Sequence, residues 1–86
     1  MTNINGGATV ITTMDGRQYA GLTAQDVVER IKEDGFLTHQ KENIPYMRGV
    51  ARRCRRMDHV TVRTDTYENF LADLETAGHI TIGGGN

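Results

Sequence analysis

Apolar and polar positions along this chain follow two periods. "ATVITTMDGRQYAG" gives two short β-type runs around Asp15-Gly16. Asp-Gly readily supplies the positive φ angles of a type I′ turn, so residues 8–14 and 17–21 are expected to pair as a hairpin. The threonines with Val10 and Ile11 suit a pleated, half-buried surface. Later, "HVTVRT" at 59–64 sets Val60 and Val62 against Thr61 and Arg63, the pattern of a strand with one buried side. "HITI" at 79–82 reads as a last short strand.

Three segments carry helical spacing. In "LTAQDVVERIKEDG", Thr23 is a good N-cap and Asp26 sits well in the positive first turn. Leu22 is placed to staple onto Val27. Ala24, Val27, Val28 and Ile31 fall within an arc of ~100°, a core-facing stripe, and Gly35 follows as the C′ residue. "FLTHQKEN" at 36–43 is a connection from which Phe36 and Leu37 should fold back onto the core. Asn43 then caps a second helix that tolerates Pro45 in its first turn and runs to about Met57. Asp65 with Glu68 opens a third helix, with Tyr67, Phe70, Leu71, Leu74 and Ala77 on one face, and Gly78 ends it.

The predicted order is β-β-α-α-β-α-β, an α+β fold in which helices cover one side of a small mixed sheet. Strands 59–64 and 79–82, if neighbours, should be parallel with a right-handed crossover. Val27, Val28, Ile31, Val50, Cys54, Val60, Val62, Phe70, Leu71 and Leu74 are expected to share the core. Residues 1–7 and the terminal "GGGN", 83–86, read as flexible ends of a single domain spanning 1–86.

Composition narrows the setting. With 86 residues and 37% hydrophobic content, the chain supports one modest core, so a homodimer or a place in a larger complex is a fair expectation. A formal net charge of −1 excludes a globally basic nucleic-acid coat. The single Cys54 favours a reducing compartment. No signal peptide and no run of ~18 apolar residues is evident, so a cytoplasmic protein that does not cross a membrane is expected.

Candidate chemistry is sparse. The chain has no serine, and hence no serine-based triad. Cys54 falls in the apolar arc of its helix, between Met47, Val50 and Met57, where a thiol is a small core filler more often than a nucleophile. His39, His59 and His79 show no metal-ligand spacing. The acids of the first and third helices fall on solvated sides, without a cleft for general acid–base work. Gly83 to Gly85 lack the Lys-Ser/Thr that completes a phosphate loop. The expectation is no enzymatic activity, no cofactor and no metal.

The charge layout is more informative. "YMRGVARRCRRM" packs five arginines into nine positions. Arg48, Arg52, Arg55 and Arg56 project into one stripe of ~100°, opposite Ile44, Met47, Val50, Ala51, Cys54 and Met57, with Arg53 at the boundary near Tyr46. Residues 44–63 hold six arginines, Arg63 included, against one acid, for a local charge of +5, while the rest carries four basic against ten acidic residues, −6. An ordinary solvated helix mixes Lys and Glu, but this face has neither. Arg48–Arg52 and Arg52–Arg56 repel at i,i+4, and Arg suits bidentate binding of carboxylate or phosphate. The plain alternative is that acids of the first and third helices pair with these arginines within the fold.

The expected function is therefore binding of an acidic protein surface through helix 44–57, using Arg48, Arg52, Arg53, Arg55, Arg56 and Arg63. Such a protein would serve as a regulatory subunit, inhibitor or assembly component, as small bacterial and phage proteins often do. Nucleic acid is the runner-up partner, since arginines at helical spacing can track phosphates. Against it stand ten acids elsewhere and a connection between the first two helices longer than a helix-turn-helix uses. The hairpin-then-helix start and glycine-rich end also resemble the β-grasp order of ubiquitin-like proteins, and that resemblance implies a modifier protein as a third reading.

Overall fold

Why the hairpin turns where it does is a matter of one glycine. The computed structural model describes residues 9–35 and 42–84; the expectations for residues 1–7, for Phe36 and Leu37, and for 85–86 lie outside them. Thr13 N–H donates to the Arg17 carbonyl at 2.9 Å, and Gly16 N–H to the Thr13 carbonyl at 3.0 Å. Gly16 has φ +90, while Asp15 is not in the positive region. The connection is thus a three-residue loop with glycine at the left-handed position, not the expected two-residue type I′ turn.

The hairpin joins β1 (Thr9–Thr13) and β2 (Gln18–Gly21); α1 (Ala24–Asp34), α2 (Asn43–Asp58) and α3 (Tyr67–Thr76) follow, and β3 (Ile80–Gly84) ends the described chain. The fold is α+β. Its sheet has the order β2-β1-β3 with both pairings antiparallel. Ile11 lies opposite Tyr19 on one side and Ile82 on the other, and Thr13 opposite Ile80. Alternation along the strands puts these residues on one face, which the helices cover.

Residues 59–64 keep the predicted place in the chain and the predicted alternation, but not the predicted ladder. Val62 is buried, Val60 half-buried, and Thr61 and Arg63 are exposed. The segment pairs with no strand. Its N–H groups go elsewhere: Val60 donates to the Cys54 carbonyl at 3.4 Å and Arg63 to an Asp73 carboxylate oxygen at 2.8 Å. The parallel crossover to 79–82 therefore does not form, and β3 pairs with β1 instead. Gly83 and Gly84 belong to β3, opposite Val10 and Thr9, so they are sheet residues and not part of a free tail.

Helix ends follow local chemistry. Thr23 Oγ1 accepts from Asp26 N–H at 3.1 Å, as expected. Leu22 is exposed while Val27 is fully buried, so the staple between them is absent. Gly35 caps α1 in extended geometry, not in a left-handed one. Gly21 is needed for close packing, because a Cβ there would lie 2.6 Å from Asp26 Cβ.

Asn43 is the first residue of α2, and Glu42 is its N-cap. The Asn43 amide donates instead to Glu29 at 2.8 Å and Tyr67 at 3.3 Å, tying the start of α2 to α1 and α3. His59, with φ 59, ends α2. Thr66, one position after the expected Asp65, caps α3 by accepting from Asn69 N–H at 3.0 Å. Gly78, with φ +87, closes α3: its N–H donates to the Glu75 carbonyl, and His79 N–H donates to the Leu74 carbonyl. That pair of bonds is a Schellman motif.

The core is one cluster. Ile11 and Ile80 from the sheet, Val27 and Val28 from α1, Met47 and Cys54 from α2, Val62, and Phe70, Leu71 and Leu74 from α3 are all buried in it. Ile31, Val50 and Val60, expected as full members, pack against it half-buried.

Candidate functional site

α2 lays Met47 and Cys54 into the core with Val50 and Ala51 beside them, and this fixes its rotation. Arg48, Arg52, Arg53, Arg55 and Arg56 are consequently all exposed. Ile44 and Met57, at the two ends of the apolar arc, remain largely in solvent. Arg55 and Arg56 lie in the last turn, where the helix dipole favours positive charge.

Three of the arginines converge. Arg48, Arg52 and Arg55, with Ala51, Thr61, Val62 and Thr64, line a surface groove of about 270 Å³. Arg55 Nη1 donates to Thr61 Oγ1 at 3.3 Å, which steadies that guanidinium over the groove. The walls are guanidinium and hydroxyl groups, and Ala51 and Val62 supply apolar surface. That lining is suited to a carboxylate or phosphate carried on a partly apolar chain.

Arg53 faces another way. It lines a cleft of about 240 Å³ between α1 and α2 together with Arg17, Tyr19, Asp34 and Tyr46. In that cleft Asp34 accepts from Tyr19 Oη at 2.5 Å and from Arg17 Nη1 at 3.2 Å. The Tyr19 hydroxyl is held above its ordinary pKa, first by the hydrogen bond to Asp34 and then by burial. Burial raises Tyr46 as well, and the Arg53 charge opposes that rise.

Arg63 is spent inside the fold, forming a bidentate pair with Asp73 at 2.9 and 3.0 Å. It does not join the groove.

Four of the acids on α1 and α3 that could neutralise α2 are engaged elsewhere. Asp34 pairs with Arg17, and Asp73 with Arg63. Glu29 accepts from Asn43 and Gln25, and Glu75 accepts from Ile82 N–H at 3.0 Å. Among the described residues, no salt bridge involves any α2 arginine.

Cys54 is buried and unpaired. Burial is the main cause that pushes its pKa up; Asp58 adds to the rise and Arg53 opposes it. A thiol held protonated in this way is a poor nucleophile. Of the three histidines, His59 ends α2, His79 lies before β3 beside Asp58, and His39 falls outside the described residues. One metal-capable group does converge among the described residues, namely Cys54, Asp58 and His79. Cys54 and Asp58 were legible as an i,i+4 pair, but His79 comes from a distant junction that no local pattern placed there. The alternation in 59–64 predicts a sheet strand and gives no sign that Thr61, Val62 and Thr64 wall a groove beside α2.

No helix among the described residues is long and apolar enough to cross a membrane. No family model, curated protein or solved structure matches this chain.

Proposed function

We propose that this is a non-enzymatic, cytoplasmic interaction protein that docks an acidic protein surface on the arginine face of α2. Arg48, Arg52 and Arg55 form the centre around their groove, with Arg56 beside them. One observation carries the reading: five exposed guanidinium groups lie on one helix without an ion pair among the described residues, although the chain carries eleven acids. Self-repulsion between Arg48, Arg52 and Arg56 costs helix stability, and an acidic partner relieves it. Truncating a desolvated arginine at the centre of an interface often costs about 2 kcal/mol or more.

The test is capture from native-host lysate with and without nuclease, using the wild-type protein and R52E/R55E as baits. Nuclease-resistant proteins with acidic surfaces, retained by the wild type and lost by the variant, are the expected result. Capture abolished by nuclease, with affinity falling steeply with salt at a slope near 0.9 per phosphate contacted, would instead establish the nucleic-acid reading. The ubiquitin-like reading is weaker, since Gly83 and Gly84 are engaged in β3.

A further inference from the structure

We propose that Cys54, Asp58 and His79 form a zinc site that ties the C-terminal turn of α2 to the junction between α3 and β3. Their ligand atoms all lie within 4.8 Å of one another. His79 Nε2 and Asp58 Oδ2 are 2.7 Å apart. Cys54 and Asp58 are one helical turn apart, so their side chains share a face of α2. The Schellman turn at Gly78 brings His79 to that face from the other side.

The chemistry of the set selects the metal. A thiolate, an imidazole and a carboxylate together suit Zn²⁺, which takes such mixed donors in tetrahedral geometry and can hold water in the fourth position. Bonds of about 2.0–2.3 Å put tetrahedral donors roughly 3.3–3.7 Å apart. The Asp58–His79 edge, between nitrogen and oxygen donors, must therefore open by roughly 0.6 Å. Both of those side chains are more than a third exposed, so they can make that adjustment by rotation. Cys54 is held in the core and serves as the fixed point.

Charge balance also fits. Binding releases the Cys54 proton to solvent, and the resulting thiolate and the Asp58 carboxylate cancel the two positive charges of the ion. The neighbouring Arg53 opposes a bare cation but favours the thiolate. The outer side of the site is open to solvent through Asp58 and His79, which gives the ion an entry path.

The test uses the full chain with Co²⁺ as a spectroscopic stand-in and Zn²⁺ as competitor. Co²⁺ should bind with one-to-one stoichiometry and give a thiolate-to-cobalt charge-transfer band in the near ultraviolet together with tetrahedral d–d bands. Zn²⁺ should erase both and raise the unfolding temperature. H79A, at a half-exposed position that leaves the core intact, should weaken Co²⁺ binding by more than about a hundredfold, beyond the roughly 10–100-fold effect of losing an outer partner. It should also abolish the thermal shift. C54A should lose the charge-transfer band; should that variant fail to fold, H79A still decides the matter. Co²⁺ bound without a charge-transfer band, or with equal affinity in H79A, would mean that Asp58 and His79 form only a surface ion pair beside a buried thiol.

Discussion

Asp73 accepts three hydrogen bonds from Arg63, one from the backbone N–H at 2.8 Å and two from the guanidinium at 2.9 and 3.0 Å. This contact does two things. It supplies the segment after α2 with a partner that a strand ladder would otherwise provide, and it engages one acid of α3 with an arginine outside α2.

It also sets a dependence on pH. Hydrogen bonds from the Arg63 side chain, and then from its backbone, hold the Asp73 carboxyl below its ordinary range. Glu29 is lowered chiefly by Asn43, and Asp65 by Asn69. A carboxyl depressed in the folded state contributes stability that is present above its unfolded pKa and is lost as pH falls through its folded pKa. The unfolding temperature should therefore hold level between about pH 5 and about pH 8 and decline once pH drops below about 4. D73N should lower the unfolding temperature at neutral pH and flatten that acid decline. An unchanged acid limb in D73N would show that the contact contributes nothing.

Phe70 is essentially fully buried at the centre of the cluster. Phe70→Ala should cost about 3–5 kcal/mol, a large share of the stability of a domain this size. Chemical denaturation followed by circular dichroism reads it directly, and an unshifted midpoint would remove Phe70 from the core.

Two glycines should respond with opposite signs. Gly21→Ala forces a Cβ to within 2.6 Å of Asp26 Cβ, an overpacking expected to cost about 1–3 kcal/mol. Gly49 lies inside α2, where an added Cβ meets only the Arg52 guanidinium at 3.9 Å. Gly49→Ala should stabilise by about 0.5–1 kcal/mol through helix propensity. A Gly21→Ala midpoint that stays put or rises would contradict the packing described for α1 against β2, and a lowered Gly49→Ala midpoint would contradict the open space beside Gly49.

The α+β class, the helices and the apolar stripes were legible because each rests on spacing within one segment. Val27 and Val28, Phe70 and Leu71, and the outward turn of Arg52 and Arg55 all follow from the helical period. Partner choice between distant segments was not legible. Nothing local in "HVTVRT" reveals that Asp73, ten residues on, takes the Arg63 N–H, so a correct alternation led to a wrong strand. The core roles of Ile11 and Met47 depend on which faces the helices cover. The groove at Arg48, Arg52 and Arg55 was half legible: its charge lies in the helix, but its far wall, Thr61 and Thr64, comes from the misread segment.

The most direct test combines unfolding and binding of R52E/R55E. Both side chains are exposed and free of ion pairs among the described residues, so Arg52→Glu should alter stability by no more than about 0.5 kcal/mol, and Arg55→Glu, in the last turn of α2, should cost about 1 kcal/mol through the helix dipole. Affinity for the nuclease-resistant partner, measured by calorimetry, should fall by more than about tenfold, since 1.4 kcal/mol corresponds to that factor. R52K/R55K, which keeps the charge but loses the planar fork, should lie between the variant and the wild type. A charge-reversed protein that melts early yet still binds with wild-type affinity would show that these arginines hold the fold together and are not where the partner docks.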